Sequence, residues 1–308
     1  MVKQFKIFLG SLLKGENLSS SEMQSLMTLI MTGELSSAQI ASCIVAMQIK
    51  GETPDEIAAA ASVMREHANK VIVDDSKHLI DTCGTGGDSL QTFNVSTLSA
   101  IIAAAAGAKV AKHGGRSVSS KCGSADVLEA LGVNVNLDHK RLGHLVDAIG
   151  IGFMFAPNYH PAMKYVAPVR KELEIRTIFN LLGPLTNPAS AKRQIVGVYS
   201  KELTITFAKV LQKLGSEHVL VVHGEDGMDE ISITGKTFIA ELKDNVIKEY
   251  TIQPSEFKLR EGSLKDIIVE DSAHSKKMIL EILNGKLSVG RDIALLNAGA
   301  AIYISGLA

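Results

Sequence analysis

The sequence has almost no charge imbalance. Thirty-two Lys and Arg face 33 Asp and Glu across 308 residues, a formal net charge of −1. No strong pull toward nucleic acid or an anionic membrane is therefore expected, and a site for an anionic ligand must be a local cluster of donors. Cysteine is scarce: Cys43, Cys83 and Cys122 lie far apart and form no C-x-x-C pair. That excludes a disulfide framework and a zinc site, leaving small buried or half-buried thiols in a reducing compartment. Long hydrophobic runs are missing too. The longest, residues 100–106, is far too short to span a bilayer. The opening MVKQFKIFLGSLLKGENLSS is broken by lysines and lacks an A-x-A site, so it fits an amphipathic helix better than a signal peptide. A cytoplasmic protein is expected, with neither internal repeats nor low-complexity linkers.

Apolar residues make up 46% and charged residues 21%, a soluble globular balance with room for one large domain or two smaller ones. Residues 1–69 read as helices only. Met23, Leu26, Met27 and Ile30 recur at i, i+3, i+4, i+7, and Ile40, Ile44 and Met47 repeat that stripe. Thr53-Pro54-Asp55-Glu56 combines a cap, a first-turn proline and a capping box, opening an alanine-rich helix that should end near Asn69. From residue 70 to 308 the rhythm changes. Short apolar runs at 78–81, 108–111, 152–155, 194–199 and 218–222 alternate with helical stretches at 96–106, 124–131 and 207–214. Continuous apolar strands separated by helices indicate a mostly parallel sheet covered on both faces. Residues 229–252 should form an antiparallel excursion of short strands at 231–233, 238–240 and 246–247, and two helices from about Ala273 and Asp292 should close the chain.

In such a sheet, ligands sit beyond the carboxyl ends of the strands. Four loops there carry chemistry. In Asp81-Thr82-Cys83-Gly84-Thr85-Gly86-Gly87-Asp88, three glycines let backbone N–H groups converge on an oxyanion. Phe93-Asn94-Val95-Ser96-Thr97 then opens a helix as a phosphate site would, without the P-loop or Rossmann spacing. The second loop, residues 112–126, gathers Lys112, Arg116 and Lys121 with serines and glycines, the groups that surround phosphate. Gly227-Met228-Asp229-Glu230 places adjacent carboxylates at a turn, a pair suited to Mg²⁺ shared with substrate phosphates. Residues 155–188, dense in proline, aromatic and glycine residues, should form a shaped wall. Arg170 there has the planar fork to clamp a carboxylate.

Taken in order, the motifs GTGGD, FNVST, KHG-RSVSSK-GSADVLEALG, FAPNYHPAMKY, VRKELEIRTIFNLLGPLTNP and HGEDGMDEIS resemble the anthranilate phosphoribosyltransferase family over nearly the whole chain. The resemblance implies a small all-helical domain, residues 1–69 with a returning segment near 165–185. It also implies a larger α/β domain, residues 70–308, with a mostly parallel sheet of the nucleoside phosphorylase/phosphoribosyltransferase kind. A homodimer joined through the helical domains is implied as well. The activity would be pentosyl transfer from phosphoribosyl pyrophosphate to anthranilate in tryptophan synthesis, with two magnesium ions per subunit and no catalytic acid or base. Carried onto these positions, Gly84, Gly87, Asp88, Thr92, Asn94, Val95, Ser96 and Thr97 would hold phosphoribosyl pyrophosphate. Lys112, His113, Gly114, Gly115, Arg116, Ser117, Val118, Ser119, Ser120 and Ser124 would complete that site. Ser96 with Glu230 would bind one Mg²⁺, and Asp229 with Glu230 the other. Arg170, Gly84 and Gly115 would hold anthranilate, with the 157–160 wall near its ring.

The chain departs from the family pattern at two places. Gly115 stands where the family has an asparagine that helps hold anthranilate, and Cys122 where serine is usual. The end at Gly306-Leu307-Ala308 reads as the inside of a continuing helix where the family has a further segment, so a truncated chain is one reading. Two rivals are weaker. A pyrimidine-nucleoside phosphorylase would need no metal, against the Asp229-Glu230 pair, and a nucleic-acid binder should be basic.

Overall fold

The computed structural model describes residues 2–88, 90–116 and 122–308. Four helices come first: α1 (Val2–Leu13), α2 (Ser20–Met31), α3 (Ser37–Lys50) and α4 (Pro54–Glu66). Ser19, Ser36 and Thr53 each close a capping box onto Glu22, Gln39 and Glu56, so each helix start satisfies its own free N–H groups. The apolar stripes are buried as expected, Met23, Leu26, Met27 and Ile30 on α2 and Ile40, Ile44 and Met47 on α3.

The chain then runs β1 (Leu79–Gly84), α5 (Val95–Ala105), β2 (Lys109–Gly114), α6 (Ser124–Ala130), α7 (His139–Ile149) and β3 (Ile151–Phe155). Short helices follow, α8 (Ala156–Tyr159), α9 (Ala167–Leu173) and α10 (Ile178–Leu182), before β4 (Arg193–Gly197), α11 (Glu202–Lys213) and β5 (His218–Gly224). The chain ends with β6 (Thr237–Lys243), β7 (Val246–Ile252), α12 (Ser272–Leu283) and α13 (Val289–Ser305).

The seven strands form one sheet in the order β3-β2-β1-β4-β5-β6-β7, the first five parallel and the last two antiparallel. Alternation along each strand divides the core. Val219 and Val221 face α11 and the helical bundle, while Leu220 and Val222 face α5, α12 and α13. One apolar core therefore runs unbroken from α1–α4 onto one face of the sheet. Helices α9 and α10 return to pack on α3 and α4. Among the described residues no helix is long and apolar enough to cross a membrane.

Two expectations need correcting, and one helix is additional to them. Residues 231–233 are not a strand: Asn297 on α13 bonds both the N–H and the C=O of Ile231 at 2.9 Å, and Ser232 turns to Asp226 and Thr237. These side chains replace the ladder partners that a strand would need. Helix α7 was not anticipated, and it is capped by Asp138, which accepts from the N–H groups of Lys140 and Arg141. Helix α13 does not continue past Ser305, because Gly306 takes the left-handed conformation and caps it.

Candidate active site

The strand order puts the site at one place. From β1 the chain proceeds outward through β2 and β3, then crosses back to place β4 on β1's other side. The carboxyl ends of β1 and β4 thus form the switch point at which open α/β sheets bind ligands. Gly84 and Gly197 end those strands side by side. A Cβ on Gly84 would run into the Asp229 carboxylate, and one on Gly197 into the Asp229 carbonyl. Two glycines are therefore what lets the loop after β5 lie across the switch point.

Asp229 Oδ2 there accepts the Gly86 N–H at 2.8 Å, and Glu230 Oε1 accepts the Ser96 N–H at 3.0 Å. Lys112, on β2 and almost fully buried, donates to the Thr82 carbonyl and to Ser96 Oγ at 3.1 Å. Thr82 Oγ1 in turn donates to the Ser96 carbonyl at 3.1 Å. Asp81 lies beneath, fully buried, accepting the His113 N–H at 3.1 Å and Asn187 Nδ2 at 2.7 Å, while Asn187 also donates to the Ala111 carbonyl. The loops after β1, β2 and β5 are one interlocked network.

Its electrostatics are unbalanced. Burial and then the charge of Asp229 push Asp88 up to about 7 and Glu230 up to about 8, and burial raises Asp229 as well. Lys112 is the cation that acts on both Glu230 and Asp229, and burial lowers its own pKa. Clustered carboxylates that resist ionisation because they are buried beside one another are chemically suited to a hard divalent cation. Among the described residues no three His, Cys, Asp or Glu side chains form a ready metal cage. The donor set matches magnesium, which takes one or two carboxylates and completes its shell with substrate phosphates and water.

The other anticipated residues divide. Thr92 bridges to Ile268 at the edge of this network. Asn94 is held in place, donating from Nδ2 to the Cys122 carbonyl at 3.1 Å and accepting from Ser275 Oγ at 2.8 Å and Cys122 Sγ at 3.1 Å. Cys122 thus does a hydroxyl's hydrogen bonding with a thiol. All three thiols are free and buried. Val95 is buried in the core, and Thr97 is buried with its Oγ1 unpartnered among the described residues. Gly114 leaves the room in which Ser124 sits, and the Gly115 carbonyl accepts the Ala125 N–H at 3.2 Å. Arg116 is held from α6 and from β3. Its guanidinium lies over Phe155 and pairs with Asp126 at 2.8 Å and Glu129 at 2.7 Å, because α6 presents those carboxylates one turn apart. Ser117, Val118, Ser119 and Ser120 lie outside the described residues.

On the acceptor side, His160 from the wall after β3 meets His113 at the end of β2, ring centroids 5.0 Å apart and edge-on. Both are buried, and the Nε2 atom of each is unpartnered among the described residues. Burial, with His160 adding, pushes His113 down to about 3, and burial brings His160 to about 4, so both are neutral near pH 7. Arg170 on α9 is half-buried, and its guanidinium has no partner among the described residues. Burial lowers its pKa, yet it stays a cation.

Three contributors were given no role by the sequence reading: Asp81, although it opens the first loop, Asn187 and Asn297. Of the two asparagines only Asn297 left a local signal, a polar residue interrupting the apolar stripe of α13.

Comparison with known proteins agrees with this geometry. Residues 76–308 match the α/β domain of a glycosyl transferase family, and residues 6–68 match its helical bundle domain. The anthranilate phosphoribosyltransferase of Methylobacillus flagellatus is 54% identical, over 98% of this chain and 89% of the relative. The crystal structure of the Thermus thermophilus anthranilate phosphoribosyltransferase superposes with a TM-score of 0.92 at 41% identity, covering 98% of this chain and 90% of that one. The enzyme of that name from Saccharomyces cerevisiae, in complex with phosphoribosyl pyrophosphate and Mg, gives 0.90 at 30% identity over 98% and 88%. It is also solved with 4-fluoroanthranilate, with a TM-score of 0.88 at 29% identity over the same shares.

Proposed function

This chain belongs to the anthranilate phosphoribosyltransferase family, and we propose that its residues divide the transfer between an interlocked donor half and an open acceptor half. The reaction moves the phosphoribosyl group of 5-phosphoribosyl 1-pyrophosphate to anthranilate, giving N-(5-phosphoribosyl)anthranilate and pyrophosphate in tryptophan biosynthesis. The observation that carries this reading is the under-neutralised carboxylate cluster at the switch point, joined by Lys112 to the glycine-rich loop and the start of α5.

The anthranilate nitrogen attacks C1 of the ribose, the C1–O bond to pyrophosphate breaks, and the amine releases a proton. Negative charge collects on the leaving group. Gly84, Gly87, Asp88, Thr92 and residues 94–97 line the donor side, with Lys112 and residues 113–116 and Ser124 opposite. Ser96, Asp229 and Glu230 would hold two magnesium ions per subunit, which when bound neutralise pyrophosphate and stabilise its departure. The protein's part is preorganised: Lys112 and the loop amides are fixed before substrate arrives and need not reorient as charge develops. The acceptor amine is already neutral at pH 7, so positioning is the remaining task. Arg170 would clamp the anthranilate carboxylate with its bidentate fork, Gly84 and Gly115 would border the ring, and the neutral His113–His160 pair suits an aromatic face.

We place the boundary between the helical and α/β parts at residues 69–70, with 165–185 returning to the helical part. Ile7, Leu13 and Ile49 are 55%, 72% and 82% exposed on the helical bundle, which supports a homodimer joined there. Three free thiols suit the reducing cytoplasm. The test of the activity is loss of anthranilate fluorescence with phosphoribosyl pyrophosphate and Mg²⁺, against an EDTA control. A metal-dependent decay supports transfer, whereas a flat trace with both substrates and Mg²⁺ would overturn it.

A further inference from the structure

Arg176 stands between α9 and α10, outside every role assigned so far. Its guanidinium crosses to the first glycine-rich loop and donates from Nη2 to the Gly87 carbonyl. It also lies over the Tyr199 ring, Cζ 4.1 Å from the centroid. Tyr199 follows the end of β4, and its N–H donates to Thr85 Oγ1 at 3.2 Å. The pair therefore grips the loop twice, once through a side-chain hydroxyl and once through a carbonyl.

The second grip has a geometric consequence. A trans peptide is planar, so its N–H points opposite to its C=O. With the Gly87 carbonyl drawn to Arg176, the Asp88 N–H must face the other way, and no described residue takes it. Gly87 adopts a left-handed φ of +77°, so glycine supplies the turn that presents this carbonyl to Arg176. We propose that Arg176 is a positioning residue that aims the Asp88 N–H into the donor's pyrophosphate site, with Tyr199 as the platform that holds the guanidinium flat. The proposal rests on the reading that this loop binds phosphoribosyl pyrophosphate.

The test is steady-state kinetics of the full chain in Mg²⁺, with calorimetric titration of phosphoribosyl pyrophosphate into each variant. Arg176→Gln should raise the donor's KM and Kd about tenfold, roughly 1.4 kcal/mol, the scale of one hydrogen bond from a charged group. The anthranilate KM should stay within about twofold. Tyr199→Phe keeps the ring and should behave as wild type, while Tyr199→Leu should follow Arg176→Gln. A donor Kd unchanged in Arg176→Gln overturns the proposal. So does an equal rise in both substrates' KM, which marks general loosening. A wild type that binds phosphoribosyl pyrophosphate but leaves anthranilate untouched refutes the transfer reading and leaves the donor Kd comparison decisive. Failure of the wild type to bind it refutes both.

Discussion

The donor and acceptor halves of the site are built on opposite plans. Around the switch point between β1 and β4, almost every polar group is engaged: Asp229 with Gly86, Glu230 with Ser96, Lys112 with Thr82 and Ser96, Asp81 with His113 and Asn187. On the acceptor side the polar groups are unspent, with Arg170 unpartnered among the described residues and the Nε2 atoms of His113 and His160 bare. The difference follows from what each substrate brings. A polyanion carries enough charge to disrupt a loose site, so its cradle must be fixed by internal bonds. A flat aromatic acid needs a shaped gap and one cation.

If the donor half is an interlocked unit, removing one member should cost more than its own contact. Asp229→Ala removes a proposed metal ligand and the acceptor of the Gly86 N–H together. It should lower kcat/KM by roughly a hundredfold or more, the scale at which metal-site losses register, and raise the Mg²⁺ requirement. Turnover at the wild-type rate would break the comparison at its strongest point. The acceptor half should answer differently. Arg170→Ala removes one carboxylate clamp and disturbs no internal bond, so the anthranilate KM should rise about tenfold to a hundredfold with kcat and the donor KM nearly unchanged. A matching rise in the donor KM would show that the halves are one unit.

Most of this was readable from the residues, for local reasons. The strands declare themselves because runs such as 219–222 are apolar throughout, as a sheet covered on both faces requires. The glycine-rich loops and the Asp229-Glu230 pair are contiguous, so their spacing carries their chemistry. What escaped is long-range. Arg176 meets Gly87 across 89 positions, Asn187 meets Asp81 across 106, and Asn297 meets Ile231 across 66. No window of sequence contains both partners. The strand expected at 231–233 failed for the same reason, since its ladder partner is a side chain from α13. Helix α7 is the exception: Leu142, Leu145, Val146 and Ile149 recur at i, i+3, i+4, i+7 between a capping Asp138 and a left-handed Gly150, a local signal that the sequence reading does not use.

The bare histidines sharpen the comparison through pH. Their folded pKa values, about 3 for His113 and about 4 for His160, lie below the usual 6.5. Between those limits the unfolded chain binds more protons than the folded one, so their contribution is intact above about pH 6.5 and is lost as pH falls towards 4. Each histidine adds a slope approaching 1.4 kcal/mol per pH unit, roughly. His160→Asn should therefore unfold with a visibly shallower loss of Tm between pH 6.5 and 4.5 than wild type. Parallel curves would mean that the pair is hydrated and not sealed.

The smallest effect concerns Gly115. Its φ is not in the left-handed range, and nothing lies within 4 Å of where a Cβ would stand, so a larger residue enters without strain. Its carbonyl already anchors the Ala125 N–H, a bond that substitution leaves in place. Gly115→Asn therefore adds a side-chain amide to an open border of the acceptor half. One neutral hydrogen bond is worth about 1 kcal/mol, so the anthranilate KM should fall roughly fivefold while the donor KM stays within twofold. Because an interlocked half has no vacancy for a new donor, the same gain should not be obtainable by enlarging Gly84 or Gly197, where a Cβ meets Asp229. A gain there, or none at Gly115, would reverse which half of the site is finished and which is open.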